Sequence, residues 1–247
     1  MQRMTAGVVI ALLTVAGIWQ AGVATAEGCP VALPQGSESV TLDPADFVER
    51  IDNPYLPLLP GSRWFYRETD GEGGRQRVRV TVTSRTREIL GIDATVVHDK
   101  VTEGRELVEN TFDWYAQDGC GNVWYLGEST KEYEDGQIVS TAGSWEAGVG
   151  GAQAGVIMPA DPQVGLSYRQ EYFEGEAEDA AEILGLDEQA EVPFGHFQDV
   201  LLTEEFTPIE PNVLELKLYA PGVGMVLAVG ISGGADREEL VRFVPGP

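Results

Sequence analysis

The sequence predicts an all-β protein built on a coiled antiparallel sheet, arranged as a half-barrel or like a sandwich. Apolar and polar residues alternate along many short segments after Arg63, as they do from Val78 to Thr83. Such period-two alternation indicates strands with one buried face. Gly, Asn or Pro residues separate the segments, and tight turns favour these residues. Hydrophobic residues make up 43% of the 247 residues, which is enough to form a core.

Residues 1–26 read as a targeting segment that does not belong to the fold. Arg3 precedes an apolar run from Ala6 to Trp19, and Ala24-Thr25-Ala26 has the small residues of a cleavage site. This pattern is typical of a secretory signal peptide. The apolar run is shorter than the ~20 residues that a membrane-spanning helix needs. We therefore expect no transmembrane segment, cleavage near Ala26, and export to the periplasm, the cell envelope or the medium.

The chain has two cysteines, Cys29 and Cys120, and both follow the predicted cleavage site. In an oxidising compartment an even pair predicts a disulfide. Such a bridge would tie the N-terminal arm to the turn around Gly119–Gly121. Two alternatives remain: a pair of unrelated thiols, or a lipid-modified Cys29 with a free Cys120. Glu27 fits a lipidation signal badly, because a small residue normally stands two positions before a lipid-modified cysteine.

Residues 27–60 are predicted to form an irregular arm that contains one short N-terminal helix. Asp43 is suited to cap the helix, and Pro44 is suited to its first position. The helix can run only to about Ile51, because the Asn53-Pro54 pair stops it.

Residues 61–247 are predicted to form a single β domain. A turn from Asp70 to Gly74 separates its first two strands, as a hairpin requires. The segment Ala177–Leu186 is ambiguous, because its composition favours a helix and its neighbours favour a strand. Strands are expected at Trp64–Tyr66, Val78–Val82, Ala94–Asp99, Leu107–Tyr115, Asn122–Leu126, Gln137–Ser140, Ser167–Tyr172, Gln198–Phe206, Leu214–Ala220, Met225–Val229 and Leu240–Val244.

An internal repeat is suggested by a comparison of the chain with itself. At a shift of 104 residues Gly91 aligns with Gly195, and Tyr115-Ala116 aligns with Tyr219-Ala220. This predicts two similar meanders, residues 61–127 and 165–247, joined by a connection over residues 128–164. The alternative is that two unrelated meanders share these features by chance.

The connection contains an uncommon segment, Ala142–Ala160, which is almost uncharged and holds five glycines. We expect these glycines to prevent a stable helix or strand, and long structureless loops are often functional. The segment either plugs the sheet with Trp145 in the core or forms the wall of a pocket. On the second interpretation the ligand-binding candidates are Trp145, Glu146, Met158 and Tyr172.

The formal net charge is −24, which argues against nucleic acid or an anionic membrane as the main partner. Carboxylates are densest from Glu171 to Glu182. Such a run is either a solvated acidic face or a site for a hard cation such as calcium. No other cofactor is predicted. The metal-ligand candidates are Glu174, Glu176, Glu178 and Asp179.

Motifs of common enzyme classes are absent from the sequence. There is no Gly-x-Ser-x-Gly, no phosphate-binding Gly-x-x-x-x-Gly-Lys-Ser/Thr and no His-Glu-x-x-His. The two histidines, His98 and His196, are interpreted as ordinary strand and turn residues. An enzyme would have to rely on carboxylates such as Glu146 or Glu171, or on a carboxylate beside His196.

Several stretches together resemble a group of uncharacterised exported bacterial β-rich proteins, and they span most of the chain from Asn53 to Gly224. The resemblance implies export and a curved antiparallel sheet, and it brings no reaction and no catalytic residues. The stretches are Asn53-Pro54-Tyr55 with Gly61-x-x-Trp64-x-Tyr66-Arg67, Asp113-Trp114-Tyr115-Ala116-Gln117-Asp118, Gly121-Asn122-Val123-Trp124-Tyr125-x-Gly127-Glu128, Ser144-Trp145-Glu146-Ala147-Gly148, Tyr168-Arg169-Gln170-Glu171-Tyr172, Val192-Pro193-x-Gly195-x-Phe197 and Tyr219-Ala220-Pro221-Gly222-Val223-Gly224.

The sequence thus favours an exported, non-catalytic binding protein for a small or apolar ligand or for a partner, and it leaves the oligomeric state open. The first alternative is an enzyme that acts on a small exported substrate through carboxylates. The second alternative is a cation-binding surface protein.

Overall fold

A computed structural model of the protein describes residues 33–70 and 73–247. The described residues are all-β, with one 3₁₀ helix, η1 (Pro44–Asp46), and seventeen antiparallel strands in one sheet. The first strands are β1 (Phe47–Val48), β2 (Arg63–Thr69), β3 (Arg75–Ile89), β4 (Ile92–Glu103), β5 (Glu106–Asp118), β6 (Val123–Ser129), β7 (Glu132–Glu134), β8 (Gln137–Ser140) and β9 (Trp145–Glu146). The others are β10 (Gln153–Met158), β11 (Ser167–Arg169), β12 (Glu171–Tyr172), β13 (Ala180–Val192), β14 (Gly195–Phe206), β15 (Leu214–Ala220), β16 (Gly224–Ser232) and β17 (Arg237–Val244).

The sheet curls into a nearly closed barrel. Strands β2 to β6 pair consecutively, and so do strands β13 to β17. Strand β17 pairs with β2 at one junction. At the other junction β6 pairs with β10, β10 with β12, and β11 with β13. The coiled antiparallel sheet is confirmed, and its closure goes beyond a half-barrel or a sandwich. Closure leaves few edges unpaired and gives every strand an inner and an outer face.

The predicted N-terminal helix is wrong beyond its first turn. Asp43 does cap η1, because its side chain accepts a hydrogen bond from the Ala45 amide, and Pro44 follows it. However, Phe47 and Val48 then pair with β5 as strand β1. The Phe47 ring also packs edge-on against Trp124, with centroids 6.5 Å apart. Sheet pairing and aromatic packing therefore replace the helical hydrogen bonds that the local sequence would allow.

Buried polar side chains fix the arm to the barrel. The Asn53 amide is 2% exposed and donates to the carbonyls of Gly121 and Pro159. The buried Arg169 guanidinium donates to the carbonyls of Gly36 and Glu38 on the arm and to that of Ala154 on β10. These contacts join the arm to the turn before β6, to the residue after β10, and to β10 and β11 themselves.

The glycine-rich connection is more regular than its composition predicts. Trp145 and Glu146 form β9, which pairs with β6, and residues Gln153–Met158 form β10 inside the barrel wall. The glycines at 148, 150 and 151 instead make the turn between them, with positive φ values of 83°, 64° and 99°. The ambiguous segment Ala177–Leu186 is largely strand, since β13 begins at Ala180.

The barrel has an apolar core towards one end. A buried cluster there joins Trp64 on β2, Val82 on β3, Val123 on β6 and Met158 on β10 with Ile51 of the arm. None of the described residues forms a helix long and apolar enough to cross a membrane. The predicted signal peptide and Cys29 lie outside the described residues, so the Cys29–Cys120 bridge stays a prediction.

Candidate functional site

Carboxylates line the inner face of the barrel beyond the apolar core. On β2 the buried Trp64 and Tyr66 point inward, and Glu68 is the next residue of the same parity. Glu238 on β17 lies opposite Glu68, just as the fully buried Leu240 lies opposite Tyr66. Because side chains of directly paired residues share a face, Glu68 and Glu238 both face inward.

The same parity argument extends around the wall. Asp99 on β4 alternates with the buried Val97 and Val101. Asp113 on β5 lies opposite Glu128 on β6. The resulting set, called here the lumen carboxylates, comprises Glu68, Asp99, Glu109, Asp113, Glu128, Glu171, Asp179, Glu205, Glu215 and Glu238. They come from strands on all sides of the barrel and from the turn before β13, and they face one common space, the lumen.

Electrostatic coupling supports this common space. Burial, together with the charges of Glu109 and Glu68, raises the pKa of Asp99 to about 7, although a backbone hydrogen bond from Lys100 opposes them. Burial raises the pKa of Glu238 to about 8, with Asp99 and Glu68 as the next causes. Burial and then the Asp179 and Glu128 charges raise the pKa of Glu171 well above its usual value. These interactions agree with the parity argument, because like charges that lie near one another on the inner face raise one another's pKa.

Among the described residues one basic side chain faces the lumen, and it is partly exposed to solvent. Lys217 on β15 faces inward opposite Thr203, yet its side chain keeps 26% of its exposure. Its ammonium lies 2.6 Å from the Glu205 carboxylate and 3.3 Å from that of Glu215. Because this inward-facing side chain is still partly exposed to solvent, the interior of the barrel near Lys217 is not completely filled by side chains.

A tyrosine hydroxyl joins two of the lumen carboxylates. Tyr125 Oη lies 2.8 Å from Asp113 Oδ1 and 2.8 Å from Glu128 Oε2. A hydroxyl has one proton, so it can donate to only one of the two, and the other must be protonated to donate in return. Burial raises the pKa of Asp113 well above its usual value and that of Glu128 to about 7. The arrangement therefore retains a proton at neutral pH.

Aromatic side chains form one wall of the lumen. The Trp145 ring is 4% exposed and packs edge-on against Tyr125, with centroids 5.3 Å apart. Tyr125 stacks on Tyr115 at 4.7 Å. The Trp145 indole N–H donates to the Glu171 carboxylate at 2.6 Å. Gly127 lets strand β9 lie close to β6, because a Cβ at position 127 would lie only 2.9 Å from the Cα of Glu146.

The structure brings together only part of the predicted ligand site. Trp145 reaches the lumen, and Tyr172 lies next to Glu171, with its ring 5.8 Å from the Arg169 guanidinium. Glu146 points outward and pairs with Arg87. Met158 is fully buried in the apolar core. Of the four predicted residues, Trp145 and Tyr172 thus lie near Glu171, whereas Glu146 and Met158 lie elsewhere.

The predicted metal ligands do not converge. Glu174 and Glu176 are exposed in the turn before β13, and Glu178 accepts a hydrogen bond from the Gly175 amide. Asp179 instead belongs to the lumen carboxylates but is solvent-exposed, and there partial desolvation raises its pKa although the Lys217 charge opposes this. Among residues 33–70 and 73–247 no group of three or more His, Cys, Asp or Glu could hold a metal ion.

The histidines lie away from the lumen. His98 lies opposite Phe112 and stacks on its ring at 4.5 Å, with Nε2 2.8 Å from Asn110 Oδ1. His196 is exposed and lies opposite Glu191 in the β13–β14 hairpin.

Positive charge is concentrated on the outer face of β2, β3, β4 and β17. A groove of about 560 Å³ runs there between arginine and lysine side chains. The Arg242 guanidinium lies 5.4 Å from the Phe65 ring within it. The basic side chains of these strands lie on the outer face, so they do not neutralise the carboxylates of the lumen. The groove is lined by Phe65, Tyr66, Arg67, Arg77, Val78, Arg79, Lys100, Thr102, Val241 and Arg242.

Comparison with known proteins gives no family. No protein-family model matches the chain, and no curated protein matches it significantly. Among solved structures, a protein from Parabacteroides distasonis with the provisional description of a lipoprotein is similar at 11% identity. The match covers 78% of this chain and 99% of that chain, with a TM-score of 0.43.

Proposed function

We propose that the protein is an exported, non-catalytic binding protein that holds a small ligand in the lumen of its barrel. The observation that carries the proposal is the wall formed by Trp145, Tyr125 and Glu171, in which two aromatic rings and a carboxylate converge on accessible interior space. Concave sites with aromatic walls and a few convergent polar groups are the usual setting for small ligands. The apolar core around Trp64, Val123 and Met158 fills part of the barrel interior.

Export is part of the same proposal and is supported by the N-terminal sequence pattern. The sequence also allows the protein to bind a partner, which would then contact its outer surface. The lumen supports a small ligand better, because its polar groups are preorganised inside a closed sheet.

The Trp145→Phe variant tests the site. Phenylalanine keeps an aromatic ring against Tyr125 but loses the N–H that Glu171 accepts. We expect the variant to remain folded and to lose bound ligand, because the Glu171 carboxyl would lose the donor that fixes its position in the wall. Native mass spectrometry of the protein purified from its own host would measure the retained ligand.

Trp114→Phe is the matched control, because the Trp114 ring packs under the exposed Arg87 guanidinium at 4.2 Å on the other side of the sheet. It should retain the ligand as the unmodified protein does. Equal loss of ligand in both variants, or no retained mass in the unmodified protein, would contradict the proposed site.

A second candidate function rests on the Tyr125 arrangement. Two carboxyls that share one hydroxyl, with raised pKa values, have the chemistry of a general acid–base pair. An enzyme would convert a compound that enters the lumen, whereas a binding protein would release it unchanged. Incubating the retained compound with fresh protein and analysing its mass distinguishes the two, and Asp113→Asn would abolish conversion if it occurs.

A further inference from the structure

We infer that the ligand of the lumen is a small organic cation, an amine that carries its charge on ammonium nitrogen. This inference rests on the proposed function and names the chemical class of the ligand. It follows from the charge, the unsatisfied polar atoms and the aromatic wall of the lumen, each of which bears on it separately.

The first argument is the charge of the lumen. Ten carboxylates face it, and Lys217 is the one basic side chain on the inner face of the described strands. Lys217 is already paired with Glu205 and Glu215. The other carboxylates lie around the wall without a cation of their own in the described part of the chain. An anionic ligand would be repelled from this space, whereas a cation would offset the mutual repulsion that, together with burial, raises the pKa values of these carboxyls.

The second argument comes from two buried polar atoms that lack partners. Tyr168 is 1% exposed, and its hydroxyl has no hydrogen-bond partner among the described residues. It lies close enough to Glu205 and Lys217 for their charges to affect its pKa. Asp99 Oδ1 is likewise buried without a partner in the part of the chain described here. A buried polar atom left unsatisfied costs roughly 1–3 kcal/mol, so these two atoms mark positions where ligand groups would bind.

The chemistry of the two atoms fits an amine. A carboxylate oxygen accepts hydrogen bonds and can bind only a donor. An ammonium group has up to three N–H donors and the complementary charge. The tyrosine hydroxyl can accept from one of these N–H groups as well. Asp99 on β4 and Tyr168 on β11 belong to different walls, so an extended molecule with more than one nitrogen could engage both.

The third argument separates an organic cation from a metal ion. The carboxylates are distributed around the wall, and no three of the described acidic or metal-ligating side chains converge as a metal requires. The rings of Tyr115, Tyr125 and Trp145 stand beside the carboxylates instead. Aromatic faces attract organic ammonium groups through cation–π interactions. A site with separated carboxylates and aromatic faces therefore suits an alkylamine better than calcium.

Four-carbon compounds that differ only in their end groups provide the test. Thermal unfolding of the full-length exported protein would be measured with butane-1,4-diamine, butane-1,4-diol and succinate at equal ionic strength. Spermidine and calcium chloride complete the series. We expect a saturable rise in Tm with the two amines and no rise with the diol, succinate or calcium, because only a ligand that binds the native state stabilises it.

Variants locate the effect. Asp99→Asn should weaken amine binding at least about tenfold, measured by titration calorimetry, because the ammonium loses a charged acceptor. Glu88→Gln, which removes an exposed carboxylate from β3, should leave binding unchanged. Equal weakening by both variants would overturn the inference, because the amines would then respond only to overall charge.

The remaining outcomes separate the inference from the proposed function. If the diol binds as well as the diamine and Trp145→Phe removes both, the lumen is a ligand site and the inferred cation is wrong. If calcium reproduces the effect of the amines, the organic class is wrong. If no amine raises Tm, the cation inference is overturned, while the proposed function is judged by the ligand retained in native mass spectrometry.

Discussion

Replacing Gly155 by alanine is expected to lower the free energy of unfolding by about 3 kcal/mol or more. A Cβ at this position would overlap the carbonyl of Gln170 and lie 2.7 Å from the carbonyl oxygen of Arg169. Both obstacles are backbone atoms, so no side chain can rotate away, and overpacking of this kind costs about 1–3 kcal/mol or more. The glycine is what lets β10 pass against the chain between β11 and β12. Urea unfolding followed by tryptophan fluorescence would measure the change.

Gly195→Ala is the matched control, since a Cβ there meets nothing within 4 Å and its φ is not positive. It should change the free energy of unfolding by no more than about 0.5 kcal/mol. Similar losses in the two variants would show that the close approach at Gly155 does not hold the barrel together.

Stability should fall as the pH rises from 5 to 8.5. The pKa values of Asp99 and Glu128 are about 7 and that of Glu238 is about 8 in the folded protein, against about 4 in the unfolded chain. The native state therefore holds protons that the unfolded state has released, and this contribution is lost as the pH passes through 7–8. We expect a loss of about 2 kcal/mol, or roughly 4–8 °C in Tm, at constant ionic strength.

Glu238→Gln should flatten part of this dependence, because glutamine does not titrate. Glu88→Gln should leave the slope as it is in the unmodified protein. A Tm that rises over this pH range would mean that the lumen carboxylates are already ionised in the native state at pH 5, which would contradict their raised pKa values.

The period-two pattern predicted most of the strands, because the alternation of apolar and polar residues can be read from each strand's own sequence. The strands from Trp64 to Tyr66 and from Gln198 to Phe206 are examples, and both lie within observed strands. Strand β10 could not be predicted in this way, since it lies in the glycine-rich segment Ala142–Ala160 and becomes a strand only between its partners β6 and β12. The predicted helix after Asp43 failed for the same reason, because β5 supplies a pairing partner that the local sequence does not show.

The candidate site was predicted only in part, although a signal for the rest was present. Trp145 was identified from the uncharged segment around it. Of the lumen carboxylates, Glu171 and Asp179 were named from the sequence, but not as members of one inner surface. The others were missed, because the acidic run was interpreted either as a solvated face or as a cation site. Asp99, however, has the same parity as Val97 and Val101, and Glu68 has that of Trp64 and Tyr66. A carboxylate on the apolar face of a strand indicates that the interior of the barrel is not completely filled by apolar side chains.

The junction between β10 and β12 has a consequence for the kinetics of the barrel. It is held by two residue pairs, Gln153 with Tyr172 and Ala154 with Glu171, whereas β17 and β2 pair along the whole of β2. Opening the wall here breaks the fewest backbone hydrogen bonds, so amide hydrogen exchange should be faster in β12 than in β2. Since Glu171 lies in β12, the segment that opens first carries a lumen carboxylate with it. Residence of a bound molecule would then be set by the rate at which this short junction opens, and equal protection of the two strands would refute that view.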